Sequence, residues 1–390
     1  MTQRRSIIAI ACLSMASFGI VLAALGASMP TLIERFGIDK MQAGGLLALQ
    51  SFWVLAGSLV FGPIVDRRGY KTVLLLSFAA IVAGLEIIAF APSLSGLRVG
   101  VAVVGFSGGI VNGAVNALVA DVSGDHRGPA LNFIGAFFGV GAAGVPFALS
   151  ALAGAYSAGA ILGTSTAFVI IPFVVTTITR FPLAKHPHAF PVAEARRLLH
   201  DPVLLLVAGM LFLESGMETT VGGWTPLLFV EDLGAAPERA PVYLAVFWLG
   251  LMLSRLLLGF APRSASGARA LYVSIASGLA SSVVIIATHN LAIAAAAVFC
   301  LGASFAPMFP VMFGLVGERF AHLSGTALGI VMAIALSGGM ALPYATGALA
   351  DAFGLRTSFL IVPASLVMLV ILLAVLARQL SERSRVAAAL

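Results

Sequence analysis

Twelve apolar stretches, each roughly the 20 residues that a helix needs to cross a bilayer, follow one another along this chain with short polar breaks between them. No soluble fold accommodates that pattern. In hydrocarbon every backbone N–H and C=O must be paired within its own segment or a closed barrel. The strict alternation of a barrel strand is missing, so each stretch reads as a helix. Composition agrees: 60% of residues are hydrophobic and 10% charged, against about 25% charged in soluble domains. Forty-two glycines suit close helix–helix approach in lipid.

The spans read from apolar windows and loop signals are 7–29, 43–65, 72–91, 96–120, 129–154, 158–180, 202–230, 241–261, 270–288, 291–316, 324–349 and 357–378. The first, within "MTQRRSIIAIACLSMASFGIVLAALGASM", imitates a secretory signal but is long for a signal core, and it reads as a span. If the N-terminus lies inside, 17 of the 22 Lys and Arg fall on the inner side and 5 outside. The positive-inside rule therefore puts both termini in the cytoplasm and the chain in the inner (cytoplasmic) membrane. The formal charge of +6, which in a soluble protein would point to nucleic acid, is read as this loop asymmetry. Cys12 and Cys300 both sit in apolar stretches, so neither a disulfide framework nor a thiol site is implied.

An internal repeat sharpens the picture. "RGPALNFIGAFFGVGAAGVPFALSALAGAY" from Arg127 and "SGTALGIVMAIALSGGMALPYATGALADAF" from Ser324 align at a fixed offset of 197, pairing Gly141 with Gly338 and Pro146 with Pro343. Span five thus resembles span eleven. The expected architecture is all-α, with twelve transmembrane helices in two pseudo-symmetric six-helix bundles. Residues 1–180 form the first bundle, 181–201 a basic cytoplasmic linker, 202–378 the second bundle and 379–390 a cytoplasmic tail. Parallel repeats of this kind build transporters with a midplane site between the halves, and a monomer is expected.

The loop after span two reads "GPIVDRRGYK", with Gly62, Asp66, Arg67, Gly69 and Lys71. It resembles the signature G-x-x-x-D-[RK]-x-G-[RK]-[RK] of the major facilitator superfamily. That resemblance implies a secondary transporter working by alternating access, with this loop as a cytoplasmic gate. Gly62 would allow close helix contact. Asp66 would meet the start of span eleven at Ser324–Gly325, or Arg127, in an outward-open form. Within the superfamily, "METTVGGWTPLLFVEDLG" and "FWLGLMLSRLLLGF" resemble the fucose–proton symporter-like branch, matching at Glu218, Gly222, Gly223, Trp224, Trp248 and Arg255. The branch's fucose permease keeps carboxylates in spans one and four, where this chain has Ser14, Ser17, Asn112 and Asn116, so fucose itself is not the implied solute.

Two intramembrane acids demand compensation. Glu214 and Glu218 lie one helical turn apart in "LFLESGMETTVGGWTPLLF", where each charge would cost about 2.5–3.5 kcal/mol at the bilayer centre. Two close carboxylates in low dielectric do not readily ionise together, and a shared proton is what proton coupling needs. The pair is either that coupling device, Glu218 foremost, or a protonated packing pair. Glu86, near the outer end of span three, reads as structural. Gln50, Asn112, Asn116 and Asn132 are either cavity groups for a hydroxyl- or amide-bearing solute or interhelical glue. Trp224 and Tyr344 are candidates for stacking on the solute, with packing as the default for aromatics in a bundle. Arg255 reads as a gate or a helix-terminus partner. No metal-ligand cluster, cofactor motif or enzyme signature stands out, "HPH" at His186–His188 included. The expected function is proton-coupled uptake of a small sugar-like solute. The alternative is proton-driven export of drugs, lipids or hydrophobic metabolites. Inward-facing amides would favour the first, a cavity lined by Phe and Met the second.

Overall fold

The computed structural model describes residues 2–123, 127–182, 196–259, 267–320 and 323–389, and every regular element among them is a helix. Among the described residues, eleven helices are long and apolar enough to cross a membrane. One of them, Lys40–Phe90, has 51 residues. At 1.5 Å per residue it would reach about 75 Å, more than twice the hydrocarbon thickness. It reverses at Gly69, whose φ of 74° and ψ of 157° belong to a region that glycine alone enters cheaply. Neighbours confirm the reversal. Going up span four, Gly105, Gly109 and Gly113 meet Gln50, Val54 and Phe61 in ascending order, whereas Gly100 and Val104 meet Ile87 and Gly84 in descending order. Spans two and three are therefore antiparallel, and the chain crosses twelve times.

The other spans are Thr2–Ala27, Leu94–Ser123, Arg127–Leu152, Ala158–Ile178, Pro202–Glu231, Ala240–Gly259, Gly267–Ala287 and Ser324–Phe353, with spans ten and twelve built differently from expectation. Span ten is broken into Leu291–Phe305 and Met308–Arg319 at Ala306–Pro307, where proline lacks the N–H that a continuous helix requires. Span twelve follows a turn at Leu355–Ser358 and continues as Ile361–Ala389, so the helix runs on through residues 379–389. A short helix, Met29–Phe36, precedes span two. Of the linker, residues 183–195, with His186–His188, lie outside the described residues.

Local chemistry sets the ends. Asp39, Ser157, Asp201 and Asn290 each accept a hydrogen bond from the backbone N–H groups of the helix they precede, replacing partners that a first turn lacks. Two arginines close carbonyl ends on the face opposite the N-terminus. Arg35 donates to the carbonyls of Ala89 and Ala91 at the end of span three. Arg356 donates to those of Ile286, Thr288 and Asp232, tying spans nine and seven to the turn before span twelve. Arg356→Ala removes three charge-assisted bonds, about 1–3 kcal/mol once water replaces some of them. The melting temperature of the detergent-purified protein is expected to fall by about 2–6 °C, read by a thermal-shift scan.

The repeat recurs in the packing. Gly19 of span one and Gly216 of span seven, 197 apart, sit where a Cβ would overlap span five at Phe138 and approach span eleven at Gly338. Gly141 and Gly338 do the same against the carbonyls of Ala16 and Phe212. Gly105 against Gln50 recurs at the same offset as Gly302 against Phe247. Each six-helix set thus uses one set of close backbone contacts twice.

Between the sets, contact is concentrated toward the face opposite the N-terminus. Span two meets span eleven at Lys40 with Asp351, Gly44 with Pro343 and Ser51 with Gly339. Span one meets span seven at Gly26, against Gly222 and Gly223, and Gly223 is its own counterpart at offset 197. Spans five and eight touch at Phe138 with Trp248 and Gly139 with Met252. Toward the N-terminal face the same helices open: a Cβ on Gly62, Gly135 or Gly329 would meet nothing within 4 Å. The halves close one face and part at the other.

Candidate functional site

Span seven carries the two acids to the middle of this seam. Glu214 is 2% exposed, and its Oε1 has no hydrogen-bond partner among the described residues. Glu218, one turn nearer the sealed face, keeps part of its surface open. Across from them, Arg255 of span eight acts electrostatically on both carboxylates, and no bridge of salt-bridge length joins it to either among the described residues. Its Nε is buried and also without a partner. Two acids facing one base hold a net charge of −1 when both ionise and zero when one proton is bound. In a low-dielectric setting that difference is large, because an uncompensated buried charge is expensive.

Trp248 completes the group. It lies two helical turns before Arg255 on the same face of span eight. It is 3% exposed, its ring meets Phe138 edge-on at 5.4 Å, and its Nε1–H is buried with no acceptor among the described residues. Its ring edge lies 3.3 Å from where a Cβ on Gly222 would stand, one turn above Glu218. Nearby, Ser51 donates to the Gly339 carbonyl, and the hydroxyls of Ser215 and Thr219 border the same glycine. The seam therefore combines an acid pair, a base, an indole N–H and several hydroxyls. The matches to the symporter-like branch include Trp248 and Arg255, but nothing in the sequence pattern aimed either at the acids. The i,i+7 spacing of Trp248 and Arg255 was the available signal.

Several expected site residues are placed elsewhere. Gln50 is buried and donates to the Val21 carbonyl at 2.6 Å, so its amide ties span two to span one. Asn116 donates to the Asn112 carbonyl and side-chain oxygen, one turn back along span four. Trp224 is fully buried, and its Nε1–H donates to the Pro343 carbonyl at 3.1 Å. With its ring against Gly44 and Gly347, it plugs the sealed face and leaves no surface for a solute here. Tyr344 is 43% exposed and its repeat counterpart Phe147 60%. Glu86 accepts from Thr166 within the first bundle, as a structural acid does. The side chains of Arg127 and Asn132 lie outside what the structure describes.

The signature loop is a turn tied to its own bundle. Lys71 donates to the Thr177 carbonyl at the end of span six, and Tyr70 donates to Asp121 of span four. Arg67 is exposed. Asp66 makes no hydrogen bond or ion pair among the described residues, and the side chains of Ser324 and Gly325 lie outside them. A Cβ on Gly62, expected at a close helix contact, would meet nothing within 4 Å among the described residues; a close glycine of span two is Gly57, against Phe106.

Comparison with known proteins agrees with this architecture. The family model described as Major Facilitator Superfamily matches residues 8–339. The yeast Saccharomyces cerevisiae protein "Bypass of stop codon protein 6" is 26% identical over 89% of this chain and 78% of its own length. A Brucella abortus glucose/galactose transporter is 30% identical over 40% of this chain and 38% of its own. Two solved structures share the fold. A nucleoside transporter, NupG, has a TM-score of 0.79 at 13% identity, with 96% of this chain and 99% of that one covered. A D-xylose-proton symporter has 0.77 at 15%, with 95% and 97% covered.

Proposed function

The chain belongs to the major facilitator superfamily, and from that premise we propose that it carries a small hydroxyl-bearing solute together with a proton. The fold is that of a multi-pass membrane transporter, and its homologues are transporters, not enzymes. The observation that carries the proposal is the acid pair facing Arg255 at the seam between the bundles. One proton on the pair makes the group neutral, which lets the seam close without stranding a charge in hydrocarbon. Glu218, partly open, is the acid that would exchange its proton; Glu214, buried one turn nearer the parted face, holds the second position. The solute would take the indole N–H of Trp248 and the hydroxyls of Ser51, Ser215 and Thr219. The names of relatives that carry glucose, galactose, xylose or nucleosides support a ring bearing hydroxyls.

The excess of Lys and Arg on the N-terminal side supports a cytoplasmic N-terminus and a place in the cytoplasmic membrane. The parted face is then the cytoplasmic one, and the structure is inward-open. The site is complete within one chain, which supports a working monomer.

Right-side-out vesicles given an acid-outside gradient test this with labelled D-galactose, D-glucose, D-xylose and uridine. Accumulation of at least one, abolished by a protonophore, is the expected result. Uptake of none, or uptake indifferent to the gradient, overturns it. A second reading, export of hydrophobic compounds, has one observation in its favour: Phe138, Trp248 and Met252 stand at the seam, while Gln50 and Asn116 are engaged within the first bundle. Inverted vesicles that accumulate a lipophilic dye under the same gradient, with no sugar uptake, would select it.

A further inference from the structure

Spans two and eleven run antiparallel, so each one's last aspartate stands beside the other's first turn. At the sealed face this is realised. Asp351, near the end of span eleven, accepts from the backbone N–H of Lys40 at 3.1 Å and of Met41 at 2.8 Å, at the start of span two. Those amides belong to a helix start, where N–H groups lack partners and the macrodipole is positive. Span two's own Asp39 takes only the N–H of Gln42. Lys40 also reaches Glu231 of span seven at 3.0 Å. First-bundle Lys40 and Met41 are thus held by second-bundle Asp351 and Glu231. The other seam has nothing equivalent, since 197 positions away stand Gly154 and Pro237, which lack the carboxylate and the N–H respectively.

We propose that Asp351 on the start of span two is a latch that keeps the face opposite the N-terminus shut. The contact of Asp66 with the start of span eleven, at the N-terminal face, is the gate that the family resemblance already implies. In this structure Asp351 is bonded to two backbone N–H groups of the other bundle. The latch rests on alternating access alone and needs neither the solute nor the coupling proton assigned above.

Its test reads conformation without transport. Ser51, buried in the sealed seam, becomes a lone cysteine by Ser51→Cys with Cys12→Ala and Cys300→Ala. A membrane-impermeant maleimide is then added from the sealed side in the absence of solute. Asp351→Ala is expected to speed labelling about tenfold, and the near-isosteric Asp351→Asn less. All variants are compared at matched yield and the same chromatographic profile. Unchanged labelling in both Asp351 variants overturns the latch. Uptake that proves uncoupled to protons leaves either result standing.

Discussion

Glu218→Gln abolishes accumulation driven by a pH gradient while leaving solute exchange nearly intact. Glutamine keeps the size and hydrogen-bonding reach of a protonated glutamate but cannot release the proton. The acid pair opposite Arg255 is then fixed at one carboxylate and one guanidinium, the neutral form in which the seam closes loaded or empty. Coupling one proton to one solute concentrates it about tenfold per pH unit, since each unit is worth about 1.4 kcal/mol. The variant's steady-state ratio is expected to stay at one under the same gradient, while counterflow of preloaded solute continues. A Gln variant that still concentrates solute would make Glu218 a packing residue and transfer the role to Glu214.

Gly26→Val stops the cycle in a different way. A Cβ there overlaps the carbonyl of Gly222, and neither backbone has room to yield because Gly223 carries Leu47 on its other side. The clash is between the bundles and exists only while this face is shut, so each bundle still folds. Overpacking of this kind costs about 1–3 kcal/mol or more, enough to move a two-state equilibrium by roughly ten- to a hundredfold. Net transport is expected below about a tenth of the parent's at normal yield, with the cysteine of Ser51→Cys now labelled rapidly from the sealed side. Normal transport would show that the two backbones do not meet during turnover. Gly141→Val, whose contact with Ala16 lies within one bundle, should instead lower yield itself.

The spans, the two halves and the offset of 197 were legible because each depends on composition along the chain. Apolar length marks a crossing, and Gly69 marks the reversal between spans two and three. The break at Ala306–Pro307 was signalled by its proline and passed over because apolar residues continue on both sides. What the sequence hides is direction. These helices are apolar on nearly every face, so periodicity does not tell a cavity side from a lipid side or a bundle interior. Trp224 and Tyr344 read alike in the sequence and differ in setting, the first fully buried and bonded to the Pro343 carbonyl, the second 43% exposed. The amides show the same limit: the sequence leaves cavity group and helix glue open, and Gln50 and Asn116 donate to the Val21 carbonyl and to Asn112. Only the acids were costly enough to be traced from sequence, and even there the partner Arg255 came from the fold.

The unequal seams bear on why the two halves share one polypeptide. Two identical copies meeting about a two-fold axis repeat every contact, so a dimer of them could carry either no latch or a pair. A pair released together multiplies the penalty of opening by itself, and none leaves the closed face unguarded. Joining the copies into a single gene product removes that parity. Asp351 can then face Lys40 while Gly154 and Pro237 stay silent, and the strength of closure can be set in single steps.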